Sequence, residues 1–155
     1  MKSMPQILQL VLVLVITMVA TMAAPTVHAD GRYGKQKAVY DVNYVGGEDD
    51  KAYFKALRNV QNHVNAVGKE NIELKVMLSG DGLNMLKDAN TNLKLQGVIT
   101  SLKTQNVMFL VCNNTLIGRK IDPESLFEVF KEDIVPSGNA EMAHLQGKGY
   151  AYLKP

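Results

Sequence analysis

Cysteine is nearly absent: Cys112 is the only one in 155 residues. A single thiol rules out an intrachain disulfide, and it leaves three states for that sulfur: buried and inert, bridged to another molecule, or free and reactive. Histidine is scarce as well, and no two metal-ligating residues of the right types stand at close spacing, so no metal site is expected. Cofactor signatures are missing. No Gly-x-Gly-x-x-Gly follows the first predicted strand, Gly46-Gly47 is too short for a phosphate loop, and the Gly-x-Ser-x-Gly elbow of the α/β-hydrolases does not occur. No bound cofactor is therefore expected. Charge of one sign is not in excess either. Seventeen Lys and Arg face fifteen Asp and Glu, dispersed along the chain. That balance offers no footprint for nucleic acid and no charged tail. Internal repeats and low-complexity segments are absent.

The leading residues have a different character. Lys2 precedes an apolar stretch from Ile7 to Ala24, Pro25 interrupts it, and Val27-His28-Ala29 follows. A basic start, an apolar centre and small or apolar residues at −3 and −1 describe a secretory signal peptide. Residues 1–29 are read as that leader, cleaved after Ala29, and 30–36 as a linker. The chain is then expected to be exported to a periplasm and to have no membrane contact once cut. The alternative is an uncleaved leader that tethers it, since 18 residues approach the ~17–20 needed to span a bilayer. Removing 29 residues from 155 leaves 126, enough for one domain with a real core. An exported chain with one unpaired cysteine is unusual, because oxidising compartments favour paired ones.

From residue 37 the pattern alternates between strand and helix. Lys37 to Val45 has strand composition and ends at Gly46-Gly47. Asp49 or Asp50 is placed to cap a helix whose apolar face is Phe54, Leu57, Val60, Val64 and Val67, with Gly68 as its stop. Ile72, Leu74, Val76 and Leu78 mark a second strand, and Ser79-Gly80-Asp81-Gly82 a turn. A short apolar piece, Leu83 to Leu86, precedes a helix carrying Leu95, Val98, Ile99 and Leu102. Val107 to Val111 is apolar on both faces, as a central parallel strand is. Asn113 to Gly118 reads as one helical turn or a loop. Asp122-Pro123-Glu124-Ser125 reads as a helix start that buries Leu126, Phe127, Val129 and Phe130. Ile134-Val135 is a short strand. A last helix with Met142 and Leu145 and a last strand at Tyr150 to Leu153 complete the chain. The expectation is an α/β domain over 37–154: three layers, a mostly parallel sheet of five strands, and helices on both faces.

In such sheets ligands bind beyond the carboxyl ends of the strands. That rule gathers Asn43, then Ser79 and Gly80, then Cys112 with Asn113, Asn114 and Thr115, then Ser137 and Gly138 as candidate binding residues, with Cys112 the candidate catalytic group. Backbone N–H groups at a helix start would favour the thiolate and lower its pKa from about 8.5. Arg119 or Lys120 could add positive charge. The plainer reading makes Cys112 a small core residue at the end of its strand, in an oligomeric ligand-binding or structural module; a third makes it a thiol redox sensor. His63, off the apolar stripe of its helix, is expected on the surface. His144 reaches the rim only if its helix start points inward.

Particular stretches go further. Phe109-Leu110-Val111-Cys112-Asn113-Asn114-Thr115-Leu116, Ile134-Val135-Pro136-Ser137-Gly138, Glu141, and Leu145-Gln146-Gly147-Lys148-Gly149-Tyr150-Ala151-Tyr152 resemble the DsrE/DsrF-like (YchN-like) family of small sulfur-trafficking proteins, in particular its exported single-domain members. The resemblance implies a five-stranded α/β sheet and assembly into trimers or hexamers. It also implies a loop cysteine that takes up sulfur as a persulfide and passes it to a partner's thiol. Only Cys112 matches that role. Sulfur-donor and sulfur-acceptor proteins would be its partners. The better-understood members work in the cytoplasm, so an exported chain departs from their setting.

Overall fold

The computed structural model describes residues 32–155. The expected leader, 1–29, and the first part of the expected linker lie outside the described residues. Among the described residues no helix is long and apolar enough to cross a membrane.

Five strands form one sheet: β1 (Gln36–Val42), β2 (Ile72–Leu78), β3 (Met108–Cys112), β4 (Ile134–Val135) and β5 (Ala151–Leu153). Their order is β4-β3-β2-β1-β5 and every pairing is parallel. Between them run α1 (Lys51–Val67), α2 (Asn84–Asp88), α3 (Leu93–Lys103), α4 (Asn113–Arg119) and α5 (Gly138–Gly147). The expected fold class is the observed one.

Side-chain alternation along each strand builds two unequal cores. On one face Tyr40, Val42, Leu74, Val76, Leu78, Phe109 and Val111 pack beneath α1 and α3, which contribute Leu57, Val60, Leu95, Ile99 and Leu102. On the other face Val39, Met77, Leu110, Cys112 and Val135 are covered by Leu145, Tyr150 and the half-buried Met142. Among the described residues one helix, α5, does all the helical covering there. Lower on that face the strands carry solvent-facing Lys37 and Glu73, paired at 3.0 Å.

Local signals explain the element ends. Gly68 adopts φ 88° and donates its N–H to the Val64 carbonyl, which closes α1. The Asn92 side chain accepts the Leu95 N–H and caps α3. Two expected starts differ. Asp50 does stand at the N-cap position of α1, but neither it nor Asp49 makes a side-chain cap: both have positive φ, and the Asp50 carboxylate accepts from Asn92 instead. Asp122 caps only a 3-10 turn, Pro123–Ser125. Beyond it the Phe127 N–H donates to the Leu86 carbonyl, which holds the chain in a non-helical path. Of the apolar face expected there, Leu126 is buried but Phe130 is 58% exposed. The helix that joins β3 to β4 is α4, directly after the cysteine.

His63 is not a free surface residue. Half-buried on α1, it bridges Tyr40 and Gln36: the Tyr40 hydroxyl lies 3.0 Å from Nδ1, and Nε2 lies 2.7 Å from Gln36 Oε1. This arrangement fits the neutral ring, with Nε2–H donating and Nδ1 accepting from the tyrosine. Burial holds its pKa below the ordinary imidazole value. As pH falls through about 6.5, the unfolded chain binds a proton that the folded chain refuses, so stability drops. Urea midpoints at pH 7.5 and 5.5 are expected to differ less in His63→Gln than in the parent chain. An equal acid shift in both would exclude His63 as a source.

Candidate functional site

The chain parts at the ends of two neighbouring strands. After β3, α4 turns toward the large core, where it buries Leu116. After β4, α5 turns to the opposite face, where it buries Leu145. Adjacent strands whose following helices leave to opposite faces open a crevice between their carboxyl ends. Cys112 ends β3 at that crevice.

The cavity there measures about 290 Å³ and is lined by Ser79, Gly80, Cys112, Asn114, Thr115, Ser137, Gly138 and Asn139. Its walls are hydroxyls, amides and backbone, with no charged side chain. Each wall comes from a different strand end. Ser79 and Gly80 follow β2, Asn114 and Thr115 open α4, and Ser137 to Asn139 open α5. The Ser137 Oγ accepts the Ala140 N–H and caps that last helix. Thr115 ties two walls together: its Oγ1 accepts the Gly80 N–H at 3.0 Å. Gly80 has φ 52°, a left-handed conformation that favours glycine.

Cys112 is 6% exposed, yet it borders this cavity and does not lie sealed in hydrocarbon. Its Sγ accepts the Gly138 N–H at 3.2 Å. Burial pushes the thiol pKa up. The N–H of Gly138, the hydroxyl and N–H of Thr115 and the N–H of Asn114 act against it, and the balance falls below the ordinary thiol value. Several donors aimed at one sulfur, beside a polar cavity, can hold a thiolate or the anion of a persulfide.

Seven of the nine residues expected at the rim meet in this cavity. The other two stand apart. Asn113 is half-buried outside the lining. Asn43 is engaged elsewhere, donating to Asp41 Oδ2 at 3.3 Å and accepting from Lys154 at 2.5 Å. Asp41 is 3% exposed, and its Oδ2 also accepts from Tyr152 and Lys154. Strand order accounts for the separation: β1 is two strands removed from β3. His144 is exposed on α5 and is not among the lining residues. Asn139 joins the lining unforeseen, though its place in the first turn of α5 follows from the Ser137 cap.

A family model, the DsrE/DsrF-like family, matches residues 37–155. The chain belongs to the DsrE/DsrF-like family. Two solved structures share this DsrE-like fold. A protein of unknown function from Methanobacterium thermoautotrophicum, MTH1491, is 27% identical with a TM-score of 0.65, over 78% of this chain and all of that one. The YchN protein of E. coli is 20% identical with a TM-score of 0.59, over 77% of this chain and 99% of its own, and shows the fold alone. Among curated proteins none matches the chain in sequence. DsrE/DsrF-like membership agrees with the resemblance carried by the Cys112 and Leu145–Tyr152 stretches.

Proposed function

We propose that this is an exported sulfur carrier in which Cys112 holds sulfur as a persulfide. The observation that carries the reading is the sulfur's setting: one thiol, bordering a polar cavity, held by the Gly138 N–H with its pKa lowered. The Cys112 thiolate attacks the outer sulfur of a persulfide donor, R–S–SH. The donor's S–S bond breaks, R–S⁻ leaves, and Cys112 carries S–SH. A partner thiolate then takes the outer sulfur by the same displacement, and the Cys112 thiolate returns. Rates follow thiolate fraction and access, as in thiol–disulfide exchange. Asn114, Thr115 and the Gly138 N–H hold the anion, while Ser79, Gly80, Ser137 and Asn139 shape the space for the incoming group.

Membership of the DsrE/DsrF-like family supports a sulfur-relay role, and the apolar leader supports export. A homo-oligomer, trimer or hexamer, is part of the proposal, and exposed Leu93 and Ile117 offer apolar surface for it. Donor and acceptor proteins are its expected partners. The competing reading, a small-ligand-binding or structural module with an inert thiol, draws on the 6% exposure.

Polysulfide treatment of the purified protein followed by intact mass decides between them. The parent chain is expected to gain one sulfur atom and Cys112→Ser none. A parent chain that gains nothing, with a thiol that resists alkylation while folded, would establish the inert reading.

A further inference from the structure

Arg119 stands one helical turn beyond Thr115 on the same face of α4. Thr115 lines the cavity and bonds Gly80, and Arg119 reaches the next residue, its Nη1 donating to Asp81 Oδ1 at 2.6 Å. Nη2 lies 3.7 Å from where a Cβ on Gly80 would stand. The guanidinium is thereby pinned against a residue of the cavity wall. The Arg119 backbone lies about 6 Å further along the helix axis than that of Thr115, four residues at ~1.5 Å each. Apart from Cys112 the cavity lining carries no ionisable side chain. Of the other nearby basic groups, Lys154 is tied to Asp41, and Lys120 follows Arg119 at the αL end of α4. The pinning is loose, because Arg119 and Asp81 are both more than 40% exposed, and an exposed ion pair yields readily to a competing carboxylate.

We propose that Arg119 selects the sulfur donor, favouring a persulfide whose short chain ends in a carboxylate. This rests on the carrier reading above. The neutral walls take the S–S group and the methylenes. The far carboxylate meets the fork of the guanidinium, which suits it geometrically as an ammonium does not. Arg119 makes no contact with the reacting sulfur, so it sets affinity for the donor and leaves the displacement to Cys112.

The test uses two donors of equal size, 3-disulfanylpropanoate and its neutral amide, with persulfide formation followed by intact mass. At low donor concentration the parent chain is expected to react about tenfold faster with the carboxylate, the worth of one charge-assisted hydrogen bond. Arg119→Gln is expected to lose that preference and keep the parent rate with the amide, which also reports an intact fold. Lys120→Gln removes the same charge one residue on and is expected to keep the preference. Equal rates with both donors in the parent chain overturn the selection by Arg119, as does an equal loss in Lys120→Gln. Sulfur uptake from neither donor overturns the carrier reading as well, so the two failures differ in appearance.

Discussion

Gly82→Ala is expected to lower unfolding free energy by about 3 kcal/mol, read from urea midpoints, because there is no room for a methyl. A Cβ at this position would stand 1.9 Å from the Val42 carbonyl oxygen and 2.7 Å from its carbon. Both obstacles are backbone, at the end of β1 where Val42 is paired with Leu78 of β2, so neither can swing away as a side chain would. Gly82 has no positive φ, and the cause is space rather than conformational freedom. The consequence reaches the site. Gly82 belongs to the turn Gly80–Leu83, whose first residue lines the cavity, and its N–H is held by the Ser79 carbonyl. Relieving the clash displaces the Ser79–Gly80 wall that faces Cys112. Gly97 is the control. It lies in α3 with nothing within 4 Å of its missing Cβ, so Gly97→Ala is expected to stabilise by about 0.5–1 kcal/mol. A parent-like midpoint for Gly82→Ala would mean that the β1 end and the β2 turn are not packed as described.

Leu145→Ala is expected to destabilise by about 3 kcal/mol and to raise the alkylation rate of Cys112 at least about tenfold. The asymmetry of the two cores gives the reason. On the large face many side chains of α1 and α3 share the burial. On the small face α5 is held by Leu145 and, half-buried, Met142, with Tyr150 just beyond it. Truncating Leu145 removes most of the contact that keeps α5 down. The same helix carries the Gly138 N–H onto the sulfur, so loosening it uncovers the thiol through local opening rather than global unfolding. Only about 1.4 kcal/mol of easier opening gives a tenfold rate. If stability falls while alkylation stays at the parent rate, reagents reach the sulfur through the cavity and not by way of helix opening.

Much of this architecture was readable from residue pattern. Ile72, Leu74, Val76 and Leu78 alternate because one face of β2 lies under helices. The Val107–Val111 run is apolar because β3 lies inside the sheet and both its faces are packed from Phe109 onward, while Met108 stays 41% exposed. Helix placement between β3 and β4 was less legible. Asp122-Pro123-Glu124 has every local mark of a helix start, but the tertiary bond from Phe127 to Leu86 overrides it. The short α4 has few marks of its own. The cavity was largely visible through the strand-end rule, which placed Ser79, Thr115, Ser137 and Cys112 together. It failed at Asn43, because alternation reveals strands without revealing their lateral order. Arg119 was nameable as a nearby positive charge, but not its place: its partner, Asp81, lies 38 residues earlier and meets it only across the rim.

The return from β4 to β5 crosses the whole width of the sheet, from one edge to the other. That crossing contains α5 and follows the other four strands in chain order. In chain order β2, β3 and β4 all precede the helix that covers Cys112. Long-range closure of this kind is slow. The Cys112 sulfur therefore has no Gly138 N–H to hold it until α5 has been made and has docked.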